Sequence, residues 1–310
     1  MEVSVPNEIE KIALKIPVLE NETHTDSPKY AIQPTLGEVI TSLATGNSYT
    51  MGEKIGEGNF GIVYRCNDIW QNTLAAKVLK PIGTYDKVKE AATAEFIKLL
   101  QLRNPFITFV YDAFEYRDTF YIITESCFCP ISSLFVMEKF DGILWLMPIA
   151  RCLLQAVHYL HINNYVHQDI HPGNVFAAFV KDEMMPKNPG VIQFKLGDLG
   201  VARVLSEIDA KNTRAQWMLP PEVLNSSEYG PIDARIDIYH VGLLFLEIAY
   251  SKELRFTEEE ILKGKPREMA LPFPAPYNFA LEKTLRRHVE FRTANAMEIW
   301  RDLHTPLGPK

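Results

Sequence analysis

Cysteine is scarce in this 310-residue chain, which holds only four: Cys66, Cys127, Cys129 and Cys152. Their positions show no paired metal-ligand spacing, and Cys127-x-Cys129 has neither a second pair nor nearby histidines. We therefore predict free thiols and a reducing, soluble setting, the cytoplasm or a similar compartment. Export of the protein into a host is not decided by the residues.

An excess of positive charge and a long apolar run are also missing. The formal net charge of −7 argues against a nucleic-acid binder or a polybasic membrane binder. The first residues, MEVSVPNEIEKIALK, lack the apolar core of a signal peptide. The most apolar run, VGLLFLEIAY (241–250), is too short to span a bilayer and contains Glu247. We expect no transmembrane segment.

The chain changes character along its length, which suits two lobes. Residues 1–47 predict an N-terminal extension with a helix near 6–15 or 35–44. Residues 48–125 are mostly strand-like, with one helix at 86–102. Residues 126–310 are largely helical, with long helices at 144–164 and 233–251 and strands at 174–180 and 191–198. The prediction is an α+β fold with a small β-rich lobe before a larger helical one. The strand-like segments are YTMGEKIG, GIVYRCND, TLAAKVLK, FVYDAFEY and TFYIITES.

The segment GEGNFGIV (56–63) places three glycines between two strand-like runs. Glycine allows a backbone to approach a ligand closely, so the segment favours a flap over phosphates. An ordinary hairpin turn explains the same letters. The motif alone is weak, and the residues that follow it have to decide.

Four further groups follow in order, each suited to phosphate chemistry. Lys77 stands among apolar residues of a strand, and a buried lysine needs an anion such as Glu95. An edge-strand lysine that points to water is the alternative. Asp169 and Asn174 lie five residues apart in YVHQDIHPGNVF (165–176), where they suit proton acceptance and oxygen ligation. Asp198 precedes a glycine at a strand end, a natural place for a Mg²⁺ carboxylate.

This order resembles the signature set of the eukaryotic-type protein kinases, over about residues 48–305. Pro220-Pro221-Glu222 stands where that family has Ala-Pro-Glu. Asp237 matches the aspartate of the central helix of the second lobe, and Arg292 matches the arginine that pairs with the glutamate. Each motif alone is weak or moderate, but seven in the right order are hard to obtain by chance.

The resemblance implies ATP and Mg²⁺ as cofactors and a protein substrate. It assigns Asp169 as the catalytic base and Asn174 and Asp198 as metal ligands. His171, where the family usually has a lysine that touches the γ-phosphate, can still donate a hydrogen bond to phosphate. Lys77, oriented by Glu95, would hold the α- and β-phosphates. The remaining nucleotide-binding positions that it implies are Gly56, Glu57, Gly58, Gly61, Val63, Ala75, Thr124, Glu125, Cys127 and Phe176.

Two departures from the family pattern affect regulation and substrate. Gln168 replaces the arginine that receives the phosphate of an activation segment, so we do not expect phosphorylation of Ser206 or Thr213 to be the switch. His171 and Ala215 replace the lysine and threonine usual in Ser/Thr kinases.

Three functions therefore stay open on the sequence. The first is a kinase acting on protein hydroxyls, Ser/Thr in preference. The second is a small-molecule phosphotransferase, because aminoglycoside and choline kinases carry a similar His-x-Asp-x-His-x-x-Asn loop. The third is a pseudokinase that serves as a binding module. The substrate and the oligomeric state are not readable from the residues.

Overall fold

The structure is a computed structural model that describes residues 32–58, 61–80, 85–138, 140–180, 190–199, 202–205 and 218–304. The expected helix at 6–15 lies outside these residues, as do Ser206 and Thr213. The chain forms two compact units. The first holds the chain up to Arg103 together with Phe109–Ser126, and the second holds Asn104–Thr108 and the chain from Cys127 onward.

The described part of the first unit contains a six-stranded antiparallel sheet and one helix. The strand order is β1-β2-β3-β4-β6-β5, which confirms all five predicted strands. Helix α1 (Tyr85–Gln101) confirms the predicted helix. The strands are β1 Val39–Thr41, β2 Ser48–Glu57, β3 Gly61–Asn67, β4 Thr73–Leu79, β5 Val110–Tyr116 and β6 Thr119–Glu125.

The core of this unit lies on one face of the sheet, where alternate residues of β2 and β3 point inward. Two stacked ring pairs join β2, β5 and β6: Tyr49 with Phe114, and Phe114 with Tyr121. Such pairs add to the stabilisation from burial. The buried core residues are Ile40, Tyr49, Met51, Ile62, Tyr64, Cys66, Leu74, Ala76, Val78, Phe114, Tyr121 and Ile123.

The expected helix at 35–44 is wrong, because this segment forms a turn and the short strand β1. Ile40 of β1 is paired with Tyr49 of β2 and is fully buried. The segment is also tied to β5, where the buried Asp112 carboxylate accepts hydrogen bonds from the hydroxyls of Thr45 (2.6 Å) and Tyr49 (3.0 Å). Residues 39–41 thus form a strand of the sheet, and residues 42–47 form the turn that joins it to β2.

The second unit contains the long helices α3 (Gly142–Ile162) and α6 (Arg235–Tyr250), which confirms both predictions. Asp141 caps α3 by accepting from the amides of Ile143 and Leu144. Strand β7, Cys129–Pro130, precedes α3. Between the two helices lie the strands β8 Tyr165–Val166, β9 Val175–Val180, β10 Val191–Leu196 and β11 Arg203–Val204. They form a sheet ordered β10-β9-β7 and a pair β11-β8. The predicted strands at 174–180 and 191–198 are confirmed.

The remaining helices of the second unit are short, apart from α9 and α10. Within the described residues they are α2 Ile131–Leu134, α4 Pro221–Leu224, α5 Ser226–Tyr229, α7 Glu258–Lys263, α8 Lys265–Ala270, α9 Tyr277–Thr284 and α10 Ala296–Leu303. Residues 104–108 join this unit alongside β10, where the amide of Thr108 donates to the carbonyl oxygen of Leu196 at 2.9 Å.

Helix α3 passes the test of length and hydropathy for a membrane span, the one described helix to do so. Half of its apolar window is buried inside the protein. The helix contacts α6, α10 and β10, and Leu146, Ile149, Leu153 and Val157 are almost wholly buried. Core packing therefore accounts for its apolar character.

Candidate active site

The glycine-rich turn joins β2 to β3 in the first unit. Gly56 is paired with Val63, and the Gly58 amide donates to the carbonyl oxygen of Gly61 at 2.9 Å. A Cβ at Gly61 would lie 2.8 Å from the Val78 carbonyl oxygen, so close packing on β4 requires this glycine. A Cβ at Gly56 or Gly58 would meet no described atom within 4 Å. The packing of the described residues therefore does not require glycine at these two positions. A ligand that approached the backbone closely would require it.

The carboxylate of Glu57 is held by two lysines. It pairs with Lys54 and, at 2.6 Å, with Lys80, whose ammonium also donates to the Gly58 carbonyl oxygen at 2.9 Å. The hydrogen bonds from Lys54 and Lys80 lower the pKa of Glu57 to about 2. The sequence indicated Glu57 as a nucleotide-binding position and missed Lys80, which fastens the end of β4 to the turn.

Lys77 lies in the middle of β4, half-buried, with Val63 of β3 on one side and Ile122 of β6 on the other. Its sheet position is central, so the alternative of an edge-strand lysine is wrong. Glu95 is in α1, but its side chain is outside the described part of the structure. The Lys77–Glu95 pairing stays a prediction.

The last residues of β6 contact β4 and the start of β5. Thr124 is paired with the buried Ala75. The Glu125 carboxylate accepts from the Phe109 amide at 2.7 Å, and the Glu125 amide donates to the Phe109 carbonyl at 2.9 Å. The Glu125 carbonyl oxygen accepts from the Thr124 hydroxyl at 3.3 Å.

In the second unit, a buried carboxylate fixes the loop that follows β8. The Asp237 side chain, on α6, accepts from the amides of His167 (2.8 Å) and Gln168 (2.7 Å). His161 on α3 is 2.9 Å from the same carboxylate. Gln168 adopts a left-handed backbone with φ of 68°, which is costly for a residue with a side chain. The hydrogen bonds from two backbone amides to one buried carboxylate stabilise that conformation.

The charge on Asp237 is stabilised in spite of its burial. Burial by itself would raise the pKa, but the hydrogen bond and charge of His161 and the bonds from the backbone lower it below the usual value. His167 is oriented as well, since its Nδ1 accepts from the Asp169 amide (3.2 Å) and its Nε2 donates to the Gly197 carbonyl (3.0 Å).

Two predicted catalytic residues, Asp169 and His171, and the predicted metal ligand Asn174 meet in this loop. The Asn174 amide nitrogen donates to the Asp169 carbonyl (2.9 Å) and to its carboxylate oxygen Oδ2 (3.1 Å). His171 Nε2 lies 3.5 Å from the same oxygen. Burial raises the pKa of Asp169, whereas the hydrogen bond and charge of His171 lower it, and the net shift is downward. Asp169 is thus a carboxylate at neutral pH.

The imidazole of His171 has a defined tautomer, because its Nδ1 accepts from the Gly173 amide at 3.0 Å. The proton of the neutral ring is then on Nε2, which faces Asp169. A Cβ at Gly173 would lie 2.7 Å from Cε1 of this ring, so glycine makes room for it. The sequence did not single out Gly173.

Asp198 follows β10 in a left-handed conformation with φ of 56°. The amide of the preceding residue, Gly197, donates a hydrogen bond to the backbone carbonyl oxygen of Asn174 at 2.8 Å. The two predicted metal ligands, Asn174 and Asp198, therefore lie on segments that are hydrogen-bonded to each other. Phe176 of β9 lies beside Gly197, where a Cβ would come within 2.7 Å of its ring. Cys127 is half-buried, and each of the four cysteines is a thiol outside any disulfide, as predicted.

Glu222 and Arg292 form the buried pair that the sequence predicted. Two bonds join the guanidinium to the carboxylate, at 2.6 and 2.7 Å, and both side chains are fully buried. The guanidinium also donates to the carbonyl oxygens of Arg235, Arg286 and Arg287. The pair therefore anchors α4, and with it the end of the segment before α4, to the rest of the second unit.

Comparison with known proteins agrees with this geometry. The model of the family described as "Protein kinase domain" matches residues 49–291, well over half of the chain. This chain belongs to the protein kinase family. Protein kinases generally use ATP and Mg²⁺ and act on protein substrates.

Among curated relatives, the serine/threonine-protein kinase TAO2 of Xenopus laevis is 30% identical over 203 residues, 64% of this chain and 18% of that protein. The human TAO2 is 26% identical over 202 residues, 64% of this chain and 15% of the relative. The human cyclin-dependent kinase-like 4 is 28% identical over 211 residues, 65% of this chain and 51% of the relative. The chain thus spans less than a fifth of the length of the TAO2 proteins.

Proposed function

We propose that this chain transfers the γ-phosphate of ATP, with Mg²⁺, to serine or threonine hydroxyls of a protein. The observation that carries the proposal is the state of Asp169. One carboxylate oxygen, Oδ2, accepts a hydrogen bond from the Asn174 amide and lies 3.5 Å from Nε2 of His171. No described residue donates a hydrogen bond to the other oxygen, Oδ1. A charged carboxylate with one oxygen fixed and the other open is what a general base for an incoming hydroxyl needs.

In the transfer step, the substrate oxygen forms a bond to the γ-phosphorus as the bond from that phosphorus to the β-bridging oxygen breaks. The hydroxyl proton passes to Asp169 Oδ1, and ADP leaves with the electron pair. Asp237 holds the loop amides and so keeps Asp169 in place. His171 Nε2–H orients the carboxylate and can donate to a phosphate oxygen.

The donor set of the second unit fits Mg²⁺, a cation that prefers oxygen ligands. Because the Asn174 amide nitrogen is turned to Asp169, its carbonyl oxygen Oδ1 remains for a cation, and Asp198 offers a carboxylate. Bound there, the ion would neutralise charge on the phosphates. Asn174 and Asp198 are the ligands that we assign.

In the first unit, we assign to Lys77 the α- and β-phosphates, with Glu95 as its partner. The amides of the glycine-rich turn would cover the phosphates, and Ala75, Val63 and Thr124 would line the adenine side. Glu57 contributes through its backbone, since its carboxylate is engaged by Lys54 and Lys80. Phe176 and Cys127, in the second unit, stay nucleotide-binding positions implied by the resemblance.

The test is incubation of the purified protein with labelled ATP, Mg²⁺ and a mixed protein lysate. We expect label on proteins, and none above background with Asp198→Ala or Lys77→Ala at unchanged melting temperature. Arg255→Ala, at an exposed surface position, is the matched control and should retain activity. Label on small molecules alone would favour a phosphotransferase of that class, and no label at all would favour a binding module. Either result would refute the proposal.

A further inference from the structure

His240 is a buried histidine that the sequence motifs do not explain. It lies on α6 one turn after Asp237, and only 2% of it is exposed. Its Nε2 is 3.0 Å from the carbonyl oxygen of Met218. A carbonyl can only accept, so the ring nitrogen that faces it carries the proton and donates.

The ring makes this bond in its neutral form. Burial lowers the pKa of His240 below the usual value, although the charges of Asp237 and Asp169 act in the opposite direction. A neutral imidazole with its proton on Nε2 is a fixed donor at physiological pH.

Met218 is the first described residue of the segment that leads into Pro220-Pro221-Glu222. Neither proline has an amide hydrogen, so this stretch has few donors of its own with which to anchor itself. Its far end is held by the Glu222–Arg292 pair. Its near end is held at the Met218 carbonyl, and the donor there is His240.

One turn of α6 therefore fastens two chain segments. Asp237 accepts the amides of the loop that contains Asp169, and His240 donates to the segment before α4. Residues three apart on a helix lie on the same face. The spacing between the two segments is thus fixed by a single rigid turn.

We propose that His240 is a positioning residue that fixes the segment at Met218 relative to the loop that contains Asp169. The inference rests on the proposed function, in which we assign the segment before Pro220-Pro221-Glu222 to contact with the protein substrate. Loss of its N–H should weaken the use of protein substrate and leave ATP use unchanged. His240 touches neither nucleotide nor substrate in this account.

The test compares His240→Leu, which keeps a buried apolar side chain but has no donor, with His240→Gln, whose amide nitrogen can occupy the place of Nε2. Leu246→Ala, a fully buried change on the same helix, is the control for general loss of stability. Each variant is assayed for the KM of a generic basic protein and the KM of ATP. Amide hydrogen exchange is measured on the peptide 218–225, where Val223 and Leu224 donate to the Pro220 carbonyl.

We expect His240→Leu to raise the protein KM at least fivefold and to speed exchange at Val223 and Leu224 about tenfold, the size of one lost hydrogen bond. The KM of ATP should stay within twofold, and His240→Gln should restore both values in large part. Unchanged exchange in His240→Leu, an equal effect in Leu246→Ala, or no rescue by glutamine would overturn the inference. If the unaltered protein transfers no phosphate to protein, the proposed function fails, and the exchange measurement still decides whether His240 holds the segment.

Discussion

Removal of the Arg292 side chain should destabilise the second unit strongly. Arg292→Ala would leave the Glu222 carboxylate fully buried without its cation and would take the donor from three carbonyl oxygens. Breaking a buried ion pair in this way costs about 3–5 kcal/mol. For a domain of this size, 1 kcal/mol corresponds to about 2–4 °C, so we expect the melting temperature to fall by about 6–20 °C.

The assay is thermal unfolding followed by circular dichroism, repeated in urea to obtain the free energy of unfolding. Arg255→Ala is the control, because its partner Glu253 and Arg255 itself are mostly exposed and the pair should contribute less than about 1 kcal/mol. The double variant Glu222→Leu/Arg292→Met should be less destabilised than Arg292→Ala, since it leaves no buried charge. A melting curve of Arg292→Ala that coincides with that of the unaltered protein would refute the reasoning.

Three further outcomes are expected. Tyr239→Phe should raise the free energy of unfolding by up to about 1 kcal/mol, because the fully buried hydroxyl has no described partner; urea denaturation that shows a loss instead would point to an unseen acceptor. Burial raises the pKa of Glu247 to about 8, so the folded state keeps a proton that the unfolded chain releases near pH 4.5, and stability should fall as pH rises from about 4.5 to 8. Glu247→Gln should flatten that slope in melting curves taken from pH 5 to 9, Glu253→Gln should not, and equal slopes would count against the assignment. The Ser206→Ala/Thr213→Ala variant, treated with phosphatase, should phosphorylate a basic protein at a rate within about tenfold of that of the unaltered protein, some 1.4 kcal/mol of barrier. A larger loss would show that phosphorylation of this segment matters and that a cation elsewhere binds the phosphate, since Gln168 replaces the usual arginine.

Much of the fold was predictable because the apolar pattern and the packing agree. Buried and less buried residues alternate in β3 and β5, whereas β4 and β6 are nearly continuous buried runs. Helix α6 carries apolar residues on every side because almost all of it is buried. The segment 35–44 was mistaken for a helix because LGEVITSLA also fits a helical apolar spacing. Its pairing with β2 decided the outcome, and the glycines at 37 and 46, both with positive φ, were the available signal of turns.

The candidate site also has residues that the sequence could predict and residues that it could not. Gly56, Lys77, Asp169, Asn174 and Asp198 could be predicted because the chemistry demands such residues in a fixed order, and their roles stay predictions. Of the residues that hold the loop, Asp237 was indicated by the resemblance, whereas His161 and His240 were not. A histidine within a helix has no sequence pattern that reveals its partner, so His161 and His240 could only be recognised once α3 and α6 had brought them to Asp237 and Met218.

The proposed phosphoryl transfer depends most on Asp169 as the general base, and one measurement tests that role directly. Asp169→Asn keeps the size of the side chain but cannot accept the hydroxyl proton. The purified protein and this variant are incubated with ATP, Mg²⁺ and a basic protein, and phosphoserine and phosphothreonine are quantified by mass spectrometry beside the melting temperature and ATP binding of each. We predict phosphorylated serine or threonine with the unaltered protein, and a loss of at least a hundredfold in the variant with ATP binding preserved. Equal phosphorylation by both proteins would contradict the account.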